Sequence, residues 1–189
     1  MLTAPLNREE VLRTYFRAKD ENRPHLLAGV FSLDAKLEVR NRASEIAFPA
    51  FTEGRAAIAD VLVGNFGQTY ENVYSFYMAR PAPDTQTFKC DWLVVMSEKN
   101  SKTVRVGCGQ YDWTFEAAST GLATNLVITI EAMQVLPPES LESTYQWMAK
   151  LGYPWSSATD VAAVAPPIEP LAQVVRYLRE GRCNPCGTT

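Results

Sequence analysis

The chain has 189 residues, of which 47% are apolar and 21% are charged, and its formal net charge is −3. This composition is typical of a globular protein with one domain and an extension, whose core needs no metal or disulfide staple. With 18 basic against 21 acidic residues and no lysine or arginine cluster, a nucleic-acid surface is not expected. No signal-peptide pattern and no apolar run of about 20 residues occurs, so we expect a cytoplasmic protein without a membrane span.

The first third of the chain is predicted to be mainly helical. Asn7 can cap a first helix whose apolar residues recur at helical spacing to Lys19, and Pro24 favours the start of a short second helix. The elements predicted in this part are helices near 8–19, 25–31 and 54–70 and a strand over 36–42.

From residue 73 onward the pattern changes to strands rich in aromatic and β-branched residues. Short turns separate the three longest strands, which predicts an antiparallel meander. The predicted strands cover residues 74–79, 87–98, 103–117 and 122–136. Beyond them we expect a helix over 140–151, an extended linker over 155–170 and a last helix over 171–180. The sequence thus predicts a domain over 1–137 and a C-terminal helical extension and tail over 138–189.

This order of elements resembles the nuclear transport factor 2-like superfamily, which includes steroid Δ-isomerase, scytalone dehydratase and the SnoaL-like polyketide cyclases. Three segments carry the resemblance beside the element order: Phe31-Ser32-Leu33-Asp34-Ala35, Glu53-Gly54-Arg55-Ala56-Ala57-Ile58 and Gly109-Gln110-Tyr111-Asp112-Trp113. The resemblance covers roughly residues 7–137. It implies an α+β fold, a cone-shaped curved antiparallel sheet wrapped around the N-terminal helices, with a small pocket inside the cone.

Alternation along the strands predicts which side chains face the pocket. Symmetric registration of both hairpins gives an inner face that is apolar and aromatic with one carboxylate: Asp91, Leu93, Val95, Gly107, Gly109, Tyr111, Trp113, Phe115, Ile128 and Ile130. The opposite, outer face is mixed: Cys90, Trp92, Val94, Cys108, Gln110, Asp112, Thr129 and Glu131. A slip of one residue would exchange these assignments. Exposure of Trp92 and Val94 on the outer face predicts a homodimer through that face.

The resemblance to steroid isomerases suggests individual site residues. Counting back nineteen positions from Asp34 leads to Tyr15, where the resemblance implies a phenol that donates a hydrogen bond to an enolate oxygen. The position of the isomerases' carboxylate base holds Val39, which cannot accept a proton. Their second oxyanion donor falls near Tyr111. The phenolic part of such a site is therefore expected, while the absent base argues against simple steroid isomerase activity.

The remaining polar candidates each have a structural and a functional interpretation. Asp91 is a general base with a raised pKa in one interpretation and an ion-paired structural carboxylate in the other. His25, the single histidine, is a capping or rim residue or an acid–base group. Because one histidine cannot build an imidazole-ligated metal site, we expect no metal and no cofactor. The Cys-x-x-Cys pair Cys183 and Cys186 supplies only half of a zinc site and is interpreted as a reduced tail.

Three functional hypotheses follow from the sequence. The first is a binding protein for a small apolar molecule, and the second is a cofactor-free isomerase, dehydratase or cyclase that uses Tyr15 and Asp91. The third is a non-catalytic dimerisation module. The missing base favours the binding protein. The residues expected to contact a ligand are Val39, Tyr111, Trp113, Phe115, Ile128 and Ile130.

Overall fold

The computed structural model describes residues 7–117 and 120–180. Six strands form one sheet in the order β2-β1-β6-β5-β4-β3. The strands are β1 (Phe31–Asn41), β2 (Phe51–Glu53), β3 (Tyr70–Tyr77), β4 (Thr87–Glu98), β5 (Val104–Phe115) and β6 (Ala123–Leu136). The predicted α+β architecture and the β4–β5–β6 meander are confirmed. The sheet is not purely antiparallel as predicted, because β1 pairs with β6 in parallel, and the short strand β2 was not predicted.

The helices begin and end close to the predicted positions in most cases. Asn7 caps the first helix as expected, because its side chain accepts a hydrogen bond of 3.0 Å from the Glu9 backbone N–H. The helices are α1 (Arg8–Asp20), a 3₁₀ turn (Pro24–Gly29), α2 (Arg55–Ala59), a π-helical segment (Asp60–Asn65), α3 (Phe66–Thr69), α4 (Leu141–Met148), α5 (Ala158–Ala163) and α6 (Leu171–Glu180). Helix α5 lies within the segment predicted as an extended linker. Among the described residues, none of these helices is long and apolar enough to cross a membrane.

Buried Arg8 fastens the start of α1 to the loops at one end of the sheet. Its guanidinium donates hydrogen bonds to three backbone carbonyls, those of Thr85 (2.8 Å), Glu116 (3.1 Å) and Gly121 (2.7 Å). It also lies 4.8 Å from the centre of the Phe115 ring. These contacts satisfy a charge that would otherwise be costly to bury, and they fix α1 against the sheet.

Two hydrophobic cores lie on opposite faces of the sheet. On the inner face, α1, α2, the π-helical segment and α3 pack against β4, β5 and β6. On the outer face, α4, α5 and α6 contribute Trp147, Val161, Leu171, Val174 and Leu178 to a second core with the same three strands. The C-terminal extension therefore covers the apolar part of the outer face of the sheet.

The extension also covers part of the free edge of β3. The Tyr77 N–H donates to the Pro154 carbonyl (2.8 Å), and the Ser156 N–H donates to the Tyr77 carbonyl (3.0 Å). The Trp155 ring stacks on the Tyr77 ring with a centroid distance of 4.9 Å. Residues 154–156 thus form a single parallel β-bridge with the last residue of β3.

The predicted faces of β5 and β6 agree with the structure, but the prediction for β4 was wrong by one residue. Asp91 pairs with Gln110, and Cys90 pairs with Tyr111. Directly paired residues point to the same face of a sheet. The four-residue loop between Glu98 and Thr103 sets the register of β4 against β5. Asp91 therefore lies on the outer face.

The same correction applies to the residues that were expected to form a dimer surface. Trp92 and Val94 are buried on the inner face, while Leu93 and Val95 lie in the outer core. Trp92 and Val94 are therefore not exposed on the outer face, and α4, α5 and α6 cover the apolar residues that lie there, so the basis for predicting a homodimer through that face was wrong.

Candidate functional site

A narrow cavity lies between α1, the π-helical segment, α3 and the inner face of the sheet. Its volume is about 50 Å³. Most of its lining is aliphatic or aromatic, and the polar atoms come from two tyrosines, one tryptophan and one lysine. The lining residues are Tyr15, Lys19, Val39, Ile46, Phe48, Leu62, Phe66, Trp92, Val94, Met96, Tyr111, Ile128, Ile130 and Met133.

Tyr15 lies at the centre of the aromatic packing below this cavity. Its ring meets Trp113 edge-on at 5.0 Å and Tyr111 edge-on at 6.0 Å, and the residue has no exposed surface. The Tyr15 hydroxyl makes no well-formed hydrogen bond with any described residue. Burial raises the pKa of Tyr15, and hydrogen bonding with the neighbouring Tyr111 hydroxyl offsets only part of this rise. The hydroxyl is therefore neutral, and its partner within the cavity lining, the Tyr111 hydroxyl, is a weak one.

Two glycines of β5 create space for the cavity-lining side chains of the adjacent strands. A Cβ atom at Gly109 would lie 2.8 Å from Cζ2 of Trp92 and 1.9 Å from the Thr129 carbonyl oxygen. A Cβ atom at Gly107 would lie 2.5 Å from the Met133 methyl carbon. Trp92 thus lies flat across β5. Its indole N–H is buried and makes no hydrogen bond with a described residue.

A buried ion pair at the end of α1 supplies the charge of the site. The Lys19 ammonium donates to Asp20 Oδ1 (2.6 Å) and to Ser75 Oγ (2.7 Å), and the Ser75 N–H donates to Asp20 Oδ2 (2.9 Å). The Lys19 ammonium also lies 5.2 Å from the centre of the Phe66 ring. Burial raises the pKa of Asp20, although Lys19 and Ser75 oppose this effect.

Sequence reasoning missed this ion pair. Lys19 lies on the apolar stripe of α1, four residues after Tyr15. A charged residue at a buried helical position was the available signal, because such a residue requires a partner. The partner Ser75 lies on β3 and could not be assigned without the tertiary fold.

The structure brings most of the sequence-predicted site residues to the cavity. Five of them lie in its lining: Tyr15, Val39, Tyr111, Ile128 and Ile130. Trp113 and Phe115 instead stack on each other in the packed core, with a centroid distance of 6.0 Å and an interplanar angle of 5°, and they are not part of the lining.

Asp91 lies on the opposite side of the sheet from Tyr15. Its Oδ1 accepts hydrogen bonds from Gln110 Nε2 and from the Tyr177 hydroxyl, each at 3.3 Å. Asp91 therefore cannot act together with Tyr15 on one ligand in the cavity.

The other candidate residues are held in ion pairs, are buried, or lie outside the described residues. Asp112 pairs with Lys89 (3.0 Å) and Glu131 with Arg42 (2.9 Å), so these two carboxylates have cationic partners. The cysteines at 90 and 108 are buried free thiols. The Cys-x-x-Cys pair of the C-terminus lies outside the described residues.

Comparison with known proteins identifies the fold. No protein-family profile and no curated protein matches the chain by sequence. A nuclear transport factor 2-like superfamily protein from Salmonella enterica serovar Typhimurium superposes with a TM-score of 0.50 at 14% identity, covering 63% of this chain and 84% of that one. The chain has the nuclear transport factor 2-like fold.

Two further structures with a similar fold are hexachlorocyclohexane dehydrochlorinases. LinA-type3 from Novosphingobium barchaimii superposes with a TM-score of 0.56 at 12% identity, covering 68% of this chain and 86% of that one. LinA Type2 gives a TM-score of 0.55 at 12% identity, covering 68% and 85%. At these identities the comparison establishes the nuclear transport factor 2-like fold, and the site chemistry has to be argued from the chain itself.

Proposed function

We propose that this protein binds a small, largely apolar molecule that presents an oxygen acceptor to the inner cavity. The observation that carries the proposal is a pair of buried donors, the Tyr15 hydroxyl and the Trp92 indole N–H, on residues of an apolar cavity. Neither makes a well-formed hydrogen bond with a described residue. A buried donor without a partner costs about 1–3 kcal/mol, and a ligand oxygen would recover that cost.

The polar groups that line the cavity favour a ligand with a hydrogen-bond acceptor such as a ketone or ester carbonyl. Its lining contributes two hydroxyls, an indole N–H and an ammonium, and no carboxylate or imidazole among the described residues. A molecule with a carbonyl oxygen and an apolar body matches both the donors and the surrounding aliphatic and aromatic groups.

Binding of matched ring compounds tests this proposal. Cyclohexanone and methylcyclohexane have similar size and shape, but only the ketone carries an acceptor. We expect cyclohexanone to raise the melting temperature of the wild type in a concentration-dependent manner, and methylcyclohexane to have a smaller effect. Tyr15→Phe and Trp92→Phe should each reduce the affinity for the ketone roughly fivefold, since one hydrogen bond contributes about 1 kcal/mol.

Tyr145→Phe is the matched control, because the Tyr145 hydroxyl donates to the Asn72 carbonyl (2.6 Å) and the residue does not line the cavity. Equal affinities of the Tyr15 and Tyr145 variants would contradict the proposal, and so would equal stabilisation by the ketone and the hydrocarbon.

An enzyme that abstracts a proton next to a carbonyl is the second candidate. Asp20 is the candidate base, because this carboxyl has a raised pKa and contacts Lys19, which lines the cavity. Asp20 itself does not line the cavity, so its contacts with Lys19 and Ser75 would have to open before it reached a ligand. The shared fold with dehydrochlorinases is in line with such chemistry. Wild-type protein in D₂O should then exchange the α-protons of cyclohexanone, observed by NMR, and Asp20→Asn should not. A ketone that binds without exchange leaves the binding protein as the function.

A further inference from the structure

A second, larger pocket adjoins the inner cavity. Its volume is about 300 Å³. We call it the outer pocket, and its lining residues are Ile46, Ala47, Phe48, Pro49, Val61, Asn65, Phe66, Thr69 and Tyr70. Three of these, Ile46, Phe48 and Phe66, also line the inner cavity. These three side chains therefore form the wall between the two spaces.

The sizes of the two spaces show that this wall has to move if the proposed function is correct. A water molecule needs about 10–15 Å³ of such volume, so the inner cavity of about 50 Å³ has room for a few waters and not for a six-membered ring. Ligand pockets usually measure roughly 300–1,000 Å³, a range that the outer pocket reaches and the inner cavity does not. A ligand that contacts Tyr15 must therefore displace part of the shared wall.

The Phe66 side chain lies between the two spaces, and the backbone next to it is held in place. The next residue, Gly67, packs so closely on Asn22 that a Cβ atom there would lie 2.7 Å from Asn22 Cγ. The Gly67 carbonyl also accepts a hydrogen bond from Lys99 Nζ (2.5 Å). With the backbone held at this point, rotation of the Phe66 side chain is the simplest opening movement.

The contacts of the Phe66 ring stabilise the closed position. The ring centre lies 5.2 Å from the Lys19 ammonium, 5.0 Å from the centre of the Tyr70 ring and 6.5 Å from that of Phe48. Cation–π and aromatic contacts at these distances each contribute a modest stabilisation. The same ring thus lies against the charged group of the inner cavity and against two aromatic rings of the outer pocket.

We propose that the Phe66 side chain is a gate and that the ligand occupies both spaces when the gate opens. This inference rests on the proposed function and specifies its ligand as a flat, elongated molecule of two fused or linked rings. The ring that carries the oxygen acceptor enters the inner cavity. The second ring lies between Phe48 and Tyr70, where Asn65 and Thr69 offer polar contacts to its substituents.

Removal of the gate tests the proposal with 2-acetylnaphthalene, a flat two-ring ketone, as the probe. A minor open state is usually about 0.1–10% populated, and its population limits the apparent affinity. Phe66→Ala should therefore raise the affinity measured by calorimetry, and the association rate measured by stopped-flow fluorescence, roughly tenfold or more. Phe51→Ala is the matched control, because Phe51 is 57% exposed and lines neither space.

Phe48→Ala is a second variant that keeps the test valid if Phe66→Ala does not fold. The Phe48 ring is only partly buried, so its loss should not unfold the protein. It should weaken binding of 2-acetylnaphthalene several-fold more than binding of cyclohexanone, because only the two-ring probe has a second ring that loses its stacking partner. Equal effects on both probes would contradict a ligand site that includes the outer pocket.

The outcomes separate this inference from the proposed function. If the wild type binds neither cyclohexanone nor 2-acetylnaphthalene, the proposed function fails and the inference fails with it. If the wild type binds both, and Phe66→Ala has the same association rate as the wild type and Phe51→Ala, the gate is wrong and the proposed function stands.

Discussion

Replacement of Tyr15 by phenylalanine should stabilise the protein while weakening ligand binding. The ring contacts with Trp113, Tyr111 and Phe31 do not involve the hydroxyl, so Tyr15→Phe retains them. The change removes a buried hydroxyl that makes no well-formed hydrogen bond with a described residue. Because such a group costs about 1–3 kcal/mol, we expect the free energy of unfolding to rise by about 1 kcal/mol. For a chain of this size, that corresponds to a melting temperature higher by about 2–4 °C.

Urea unfolding of paired tyrosine variants measures this effect. Tyr77 is the matched control, since it is also wholly buried in the same aromatic cluster, but its hydroxyl donates to the Leu12 carbonyl (3.1 Å). Tyr77→Phe should lower the free energy of unfolding by about 1 kcal/mol, opposite in sign to Tyr15→Phe. Both variants should keep the wild-type dependence of unfolding free energy on urea concentration, because the surface exposed on unfolding is unchanged.

Destabilisation of Tyr15→Phe by as much as Tyr77→Phe would refute the reasoning. The Tyr15 hydroxyl would then have a hydrogen-bond partner in solution, and its availability to a ligand could no longer be inferred. A stabilised variant with unchanged ketone affinity would separate the two parts of the argument, since the hydroxyl would be unpaired but would not contact the ligand.

Two further predictions concern alkaline pH and the glycines of β5. Burial raises the pKa of Cys90 and raises that of Cys108 to about 12, so the folded protein keeps thiol protons that the unfolded chain loses above about pH 8.5. The free energy of unfolding should therefore be constant from pH 7 to 8 and fall as the pH rises from about 8.5 towards 11; urea midpoints that stay constant to pH 11 would contradict this. Gly107→Ala should push the flexible Met133 side chain into the inner cavity, and calorimetry should show lost ketone binding at a stability within about 1–2 kcal/mol of wild type. Gly109→Ala should instead prevent stable folding, because the new Cβ meets a backbone oxygen; a folded Gly109→Ala protein by circular dichroism would show that the strands can separate.

The sequence predicts those parts of the fold that depend on local patterns. Helix α1 follows from the Asn7 cap and its apolar stripe, and the aromatic run around Tyr111 follows from alternation within β5. The side of the sheet on which Asp91 lies depends on the register set by the 99–102 loop, and one residue there exchanges the two faces. Contacts between distant segments, such as that of Lys19 with Ser75, cannot be assigned from the sequence. The sequence shows only that a charged residue lies on the apolar stripe of α1 and needs a partner.

The position of the C-terminal extension could also not be predicted from the sequence alone. Its helices were predicted in part from periodicity, but an amphipathic helix such as Leu171–Glu180 reveals that it has an apolar side and not which surface that side covers. The apolar part of the outer face, which had been interpreted as a dimer surface, is covered by this later segment of the same chain.

The short run of residues 154–156 beside β3 has a consequence for how the protein behaves at high concentration. The exposed edge of a strand can form hydrogen bonds with a strand of a second molecule, which is how ordered aggregates grow. Here the chain itself occupies the N–H and C=O groups of Tyr77, and the opposite border is formed by β2, which has only three residues. Fewer backbone groups at the two edges of the sheet are then left to pair with a neighbouring molecule.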